Sequence, residues 1–589
     1  MRKVISVIAI LLGAIALVVG IGQKTFWAPP ETVTASMPEF KEESPLTVIQ
    51  PSVQNPGSEP VELVITGKGE FTASLARSYD VEAWVGDAAH VELTGVDREN
   101  HQLIAERIDG EKKTPNPAGD DLFFDSQKAD GTMTYRWTAP DDGDWSLLLA
   151  ADGTKAAPSE ISVTYANDDA MPWALPLIII GALLLVLGVA LLVMRVIKPA
   201  KSASSGRRAE TAVADAKNGP TKQNSLAVAA VLALAVSGIS VPMAPASDKP
   251  SESAQASDSA KASEPASDSA SQSASDSAQP SESAQDEKPS YPVLTEEQLQ
   301  RVLSDVEKQI GKADEKNTTK DLDSRASGAF KDLRTKRYDI LNDKIKIAKP
   351  LALKTSVIRS AAVPNSSEAK FPRVITVVTA KDSDPATLPI ALTLQQNSAR
   401  DNYKVTFAAQ MLPNSTFPGI AVGDPSVTQL DANAEGLKVK PKDALTQLAD
   451  VLTNEKSKHK DNFAESEFIK AIHSGQKAEQ KDANEAKVKY SRTVTDKDTA
   501  VVSTPDGGAI VTGRLNQKAV FERTEDADPL ESADELTKKL LGSSTSNGNV
   551  EITYAEPVMM YIPASGNDDK IQLVASEVSL LSVKQVEEN

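Results

Sequence analysis

The chain has 589 residues, a formal net charge of −19, 4% aromatic residues and no cysteine. The length allows several domains, and the acidic balance excludes nucleic acid as a partner, because phosphate binding needs a basic face. The lack of cysteine excludes disulfides, thiolate metal sites, thiol catalysis and anchoring through a lipidated cysteine.

Behind Arg2 and Lys3 lies an apolar segment, Val4 to Ile21. It reads as a cleavable signal peptide or an uncleaved signal-anchor over residues 1–23, and the anchor is favoured because Gln23-Lys24-Thr25-Phe26-Trp27 follows with no small-x-small cleavage site. Residues 36–170 read as an all-β sandwich. Short alternating segments recur at Val61 to Ile65, Tyr79 to Val85 and His90 to Leu93, bounded by Gly, Pro and Asp. Tyr135 to Leu149 reads as a hairpin turning at Asp142-Gly143. Trp137 and Trp145 flank that turn and are expected to pack rather than stack a sugar. Asp141, Asp142 and Asp144 lack the spacing and distal glutamate of a calcium loop, so they read as a polar tip.

The next segment, Trp173 to Met194, is an unbroken apolar run. At about 1.5 Å per residue, a helix of that length crosses a hydrocarbon core about 30 Å thick, so residues 172–194 are read as a second membrane helix. Residues 195–224 carry Arg195, Lys198, Lys201, Arg207, Arg208, Lys217 and Lys222 against Glu210 and Asp215, which marks a cytoplasmic loop. Residues 225–246 form a third apolar segment with two readings: a third membrane helix, or an internal signal cleaved at the small-x-small site formed by Ala244 and Ala246. Residues 247–290 repeat Ala-Ser-Asp-Ser-Ala and have little to bury, so they read as a disordered stalk. These charges place the amino terminus inside and residues 24–170 and 247–589 outside a multi-pass membrane.

Residues 291–435 and 436–589 read as two α+β domains. Thr295-Glu296-Glu297-Gln298 is a capping box ahead of an apolar stripe at Leu299, Val302, Leu303, Val306 and Ile310. A second helix is expected over Asp323 to Leu341. Strands follow at Val357 to Val363, Val374 to Ala380, Leu388 to Gln396 and Tyr403 to Met411. The order then repeats: Pro441 opens a helix lined by Leu445, Leu448 and Leu452, and Phe463 to Ile472 suggests another. Strands are expected at Val488 to Val494, Ala500 to Ser503, Ala509 to Thr524, Val550 to Ile562 and Ile571 to Val586. A turn at Thr504 to Gly508 joins two of them, and a short helix or loop lies between Asp528 and Leu541.

Helices followed by a long curved antiparallel sheet, twice over, resemble the nuclear transport factor 2-like, or cystatin-like, fold. The run Gly20-Ile21-Gly22-Gln23-Lys24-Thr25-Phe26-Trp27-Ala28-Pro29-Pro30-Glu31 resembles the opening of an uncharacterised family of actinobacterial multi-pass membrane proteins. The first resemblance implies a pocket inside the curved sheet, for which Tyr403, Tyr554 and Tyr561 are candidate lining residues. The second implies an actinobacterial envelope protein and no activity.

Of the four histidines, His90, His101, His459 and His473, no two have zinc-helix spacing. The sequence has no phosphate-cradling Gly-Lys-Ser/Thr loop and no Gly-x-Ser-x-Gly elbow. No catalytic, cofactor or metal residue is assigned. The expected function is a non-catalytic cell-envelope protein that presents extracytoplasmic binding or scaffolding domains. Its expected partners are the lipid bilayer and other envelope proteins or cell-wall polymer. The alternative is an enzyme or accessory factor in envelope glycan processing that uses a pocket in an α+β domain.

Overall fold

The computed structural model describes residues 2–28, 30, 32–54, 62–137, 139–140, 142–166, 173–193, 288–483, 486–524, 528–532 and 534–587. The basic loop 195–224, the third apolar segment with Ala244 and Ala246, and the stalk from 247 to 287 lie outside the described residues. The chain divides into two units, Met1–Gly22 with Trp173–Gln285 and Gln23–Pro172 with Asp286–Asn589.

The first unit contains two helices long and apolar enough to cross a membrane, α1 (Arg2–Lys24) and, later in the chain, a helix over Ala174–Val193. They run antiparallel: Gly20 meets Ala174 and Ile178, Gly13 meets Gly181, and Ser6 and Ile10 meet Gly188. A Cβ at Gly13 or Gly181 would fall within 3 Å of the opposite backbone. The contact residues recur every seventh position, as Ser6, Gly13 and Gly20 on one helix and Ala174, Gly181 and Gly188 on the other. A seven-residue repeat keeps one seam facing the partner, and small side chains let helix backbones approach without a hydrophobic driving force. The Ser6 hydroxyl donates to the Gly188 carbonyl across the seam at 2.8 Å.

In the second unit, the β region is one eight-stranded sheet that closes on itself, where the sequence suggests a two-sheet sandwich. The long strand Glu62–Arg77 is the cause. Its first half pairs with Glu160–Ala166 and its second half with Trp145–Ala150, which joins the two ends of the sheet. The other edge of this strand carries Asp125–Arg136. The expected hairpin between Tyr135 and Leu149 is therefore absent: both of its arms pair with Glu62–Arg77 and not with each other. Gly143 does take the left-handed conformation, at φ 71°. Trp137 and Trp145 are buried in the core, and Trp137 meets Tyr135 edge to face. The expected strand at Tyr79 to Val85 is a helix, α2 (Ser78–Val85). Its alternating apolar residues mimic a strand, but those it buries are Asp80, Val81, Trp84 and Val85, which share one helical face. The helix Ala174–Val193 is α3 in chain order.

The carboxyl-terminal region follows the expected order. Helix α4 (Glu296–Lys316) begins at the Thr295–Gln298 capping box, and its stripe Leu299, Val302, Leu303, Val306 and Ile310 is buried. With α5 (Gly328–Asn342) it covers one face of a four-stranded antiparallel sheet: Val357–Ala362, Arg373–Ala380, Ile390–Gln396 and Lys404–Gln410. The other face packs Val378, Ala391, Phe407 and Ala409 against Ile510, Met559, Val574 and Ala575 of a second sheet. That seven-stranded sheet is built on two long partners, Ala509–Glu522 and Asn549–Ile562. Its far face is covered by α6 (Pro441–Thr453), whose Leu445 reaches the sheet where Gly513 has no side chain.

The β region and the carboxyl-terminal region pack together inside this unit. Asp80 on α2 and Arg373 form a buried bidentate pair, with Nη1 to Oδ2 at 3.2 Å. Asp121 and Arg325 form another, with Nη2 to Oδ1 at 3.0 Å. Asp121 also accepts from the Tyr403 backbone N–H at 2.8 Å. Gln298 and Arg301 donate to the carbonyls of residues 121–124, and Arg400 to those of Trp84 and Val85.

The antiparallel helix contact has a direct test, because the chain has no native cysteine. The double variant Ser6→Cys, Gly188→Cys should form an intramolecular disulfide in oxidised membranes, read as a mobility shift on a non-reducing gel. The pair Ser6→Cys, Ala174→Cys, at opposite ends of the seam, should not.

Candidate functional site

Helix α6 covers only one end of the long strands. At the other end the same sheet face is open beneath α7 (Glu467–Asp482), which has no fully buried residue. A groove of about 1160 Å³ lies there. Its floor follows from strand register. Gln517 faces Tyr554, Ala519 faces Ile552 and Phe521 faces Val550, and alternate residues of a strand share one face. One wall is α7, with Ile472, Gln476, Glu479 and Asp482. The other is the segment from Asp528 to α8 (Glu535–Leu541), with Asp528, Leu530, Glu531, Asp534 and Leu541.

A buried ion pair separates this groove from the core beneath α6. Arg492 and Glu556 have no exposed side-chain surface and pair in a fork at 2.7 and 2.9 Å. Arg492 also donates to the Leu452 carbonyl at 2.7 Å, and His473 and Gln476 of α7 contact Val451 and Leu452 carbonyls at the same helix end. These contacts satisfy the carbonyls that the last turn of α6 leaves unpaired, and they tie α7 down without filling the space under it.

Among the described residues, the groove lining has five carboxylates, Glu479, Asp482, Asp528, Glu531 and Asp534, and one guanidinium, Arg523. Glu479 accepts from the Tyr490 hydroxyl at 2.6 Å. Burial, then the charges of Glu479 and Asp534, push the Tyr554 hydroxyl up to about 12, so it is protonated at neutral pH. Gln517 is only 7% exposed, and its side-chain amide makes no hydrogen bond among the described residues. Its amide opens into the groove, so a ligand that displaces water there has to supply the amide with a polar partner.

The three tyrosines of the expected pocket are not brought together. Tyr554 lines the groove. Tyr561 lies seven residues along the same strand, on the opposite face, and donates to Asp506 at 2.7 Å. Tyr403 is fully buried in the first helix-and-sheet half, near the Asp80–Arg373 pair, and burial raises its hydroxyl. Burial also raises the Asp80 carboxyl, with Arg373 opposing. The sequence reading missed Gln517 and the carboxylates; a Gln among Leu515, Ala519 and Phe521 on one strand face was the available signal. Among the described residues, no group of three His, Asp or Glu is placed to hold a metal ion.

Residues 290–584 match the model of a domain of unknown function, DUF8094, over half of the chain. The chain belongs to that family. The DUF8094 region takes in both helix-and-sheet halves, the groove and the Arg492–Glu556 pair, and the sheet-to-sheet contact gives its two halves a shared core. No curated protein and no solved structure matches the chain.

The DUF8094 region meets the β region beside a second perturbed group. The half-buried Asp120 accepts from the Trp84 indole at 2.7 Å, and burial, with the adjacent Asp121, pushes it up to about 6. As pH rises from about 4, the unfolded chain releases this proton before the folded protein does. The folded state therefore loses stability up to a pH of about 6. Asp120→Asn removes this contribution. Thermal melts across that window should show wild type losing stability relative to the variant as pH rises, and parallel curves would contradict the assignment.

Proposed function

We propose that this chain is a cell-envelope protein with three membrane spans, and that its β region and DUF8094 region form one extracytoplasmic unit for binding or scaffolding. The observation that carries this reading is the pair of buried ion bridges, Asp80 with Arg373 and Asp121 with Arg325. Such contacts require both regions to be on the same side of the bilayer. Helices α1 and α3 run antiparallel, with Gly20 against Ala174. A chain that leaves α1 and re-enters at α3 keeps the residues between them on one side. The end of α3 is then on the opposite side, and the DUF8094 region has to return. Between residues 194 and 287 the apolar stretch Leu226 to Val241 supplies that crossing. The basic residues from Arg195 to Lys222 favour the cytoplasm for the intervening loop.

The repeated order of helices and then a meander supports reading the DUF8094 region as two nuclear transport factor 2-like modules, and the Gly20 to Glu31 opening supports an actinobacterial envelope setting. A second reading, an accessory factor in envelope glycan processing, draws support from the groove, where Tyr554 stands among carboxylates.

Single cysteines test the topology against a background free of native thiols. Asp130→Cys and Lys288→Cys should both react with a membrane-impermeant maleimide in intact cells, and Ser204→Cys only after permeabilisation. Protection of Lys288→Cys in intact cells would contradict the three-span arrangement.

A further inference from the structure

The groove has a chemical character that the proposed envelope role does not specify. Its floor runs from a polar end, Gln517 and Tyr554, to an apolar end, Phe521, Ile552 and Val550. At about 3.3 Å per residue, the stretch from Gln517 to Phe521 is about 13 Å long. Carboxylates stand on both walls, Glu479 and Asp482 on α7 and Asp528, Glu531 and Asp534 opposite. Gln517, more than nine-tenths buried and without a hydrogen-bond partner among the described residues, lines the floor between them.

We propose that this groove binds an elongated aliphatic ligand carrying cationic amino groups. Three observations converge on that class. The apolar floor, partly exposed at Phe521, Ile552 and Tyr554, gains by covering with methylenes. The excess of carboxylates on both walls selects a cation and repels a fatty acid or a phosphate. The Gln517 side-chain carbonyl is an acceptor that an ammonium can satisfy, and the protonated Tyr554 hydroxyl beside it offers a second acceptor oxygen. A purely apolar ligand would leave Gln517 without a partner. A small polyamine would leave the floor wet. The proposal does not depend on which side of the membrane the groove faces.

The test uses the full chain in lipid nanodiscs, with empty discs as the blank, and isothermal titration with three probes. Dodecamethylenediamine has amines and an apolar body, spermine has amines without a continuous apolar body, and dodecanoate has the apolar body with the opposite charge. The diamine should bind tightest. Two variants check the site. Glu479→Gln with Asp534→Asn keeps oxygen acceptors for Tyr490 and for the α8 amino end while removing two charges. Ile552→Arg places a cation on the partly exposed floor. Each should weaken diamine binding about tenfold or more, a loss of about 1.4 kcal/mol per decade, with the melting temperature of the unliganded protein kept in at least one of them. Dodecanoate binding as tightly as the diamine would overturn the proposal. So would diamine affinity unchanged in both variants, or no diamine binding at millimolar concentration.

Discussion

Two buried aspartates, each held by an arginine from a distant part of the chain, are the constraint on which the arrangement of the second unit depends. Asp80 and Arg373 are separated by 293 residues, and Asp121 and Arg325 by 204. A desolvated ion pair is not a strong source of net stability, because removing two charges from water offsets most of their attraction. Breaking one is different: it leaves an uncompensated buried charge, at a cost of about 3–5 kcal/mol. A docking that breaks either pair is therefore penalised more than the intact pair is rewarded. The docking of the β region on the DUF8094 region satisfies both forks, the Tyr403 amide and the arginine-to-carbonyl contacts at once.

The same logic recurs beneath α6, with a different consequence. Arg492 and Glu556 close the apolar core at the carboxyl end of that helix, and beyond them the sheet face lines the groove. Helix α7 is held to the end of α6 by His473 and Gln476, and its Phe468, Ile469 and Ile472 pack partly buried against the core beneath α6, which leaves the groove beside them. A hollow is thus framed by polar contacts on rigid elements, the setting in which a binding site keeps its shape.

Much of the carboxyl-terminal fold was legible in the sequence, because its signals are local. The Thr295–Gln298 box, the Leu299 to Ile310 stripe and the Gly507 turn each encode their own geometry. The β region was less legible because its architecture is set by one strand with three partners, Glu62–Arg77, and pairing is not a local property. Helix α2 was missed because Tyr79, Val81, Ala83 and Val85 alternate as a strand does, while the burial of Asp80 depends on an arginine far away. The apolar segments were recognised by length, but the seven-residue recurrence of Ser6, Gly13 and Gly20, and of Ala174, Gly181 and Gly188, carried the further information that they pair. Tyr554 and Tyr561 could not share a pocket, because an odd separation on one strand puts them on opposite faces.

The central claim is that the DUF8094 region is held to the β region by the seam itself and not only by the covalent chain. It is tested by placing a site-specific protease sequence between residues 250 and 280 of the full-length protein, cutting on intact protoplasts, and measuring where the carboxyl-terminal fragment goes. The account predicts that the fragment stays with the membrane, and that Asp80→Ala with Asp121→Ala releases it. Release of the wild-type fragment into the medium would contradict it.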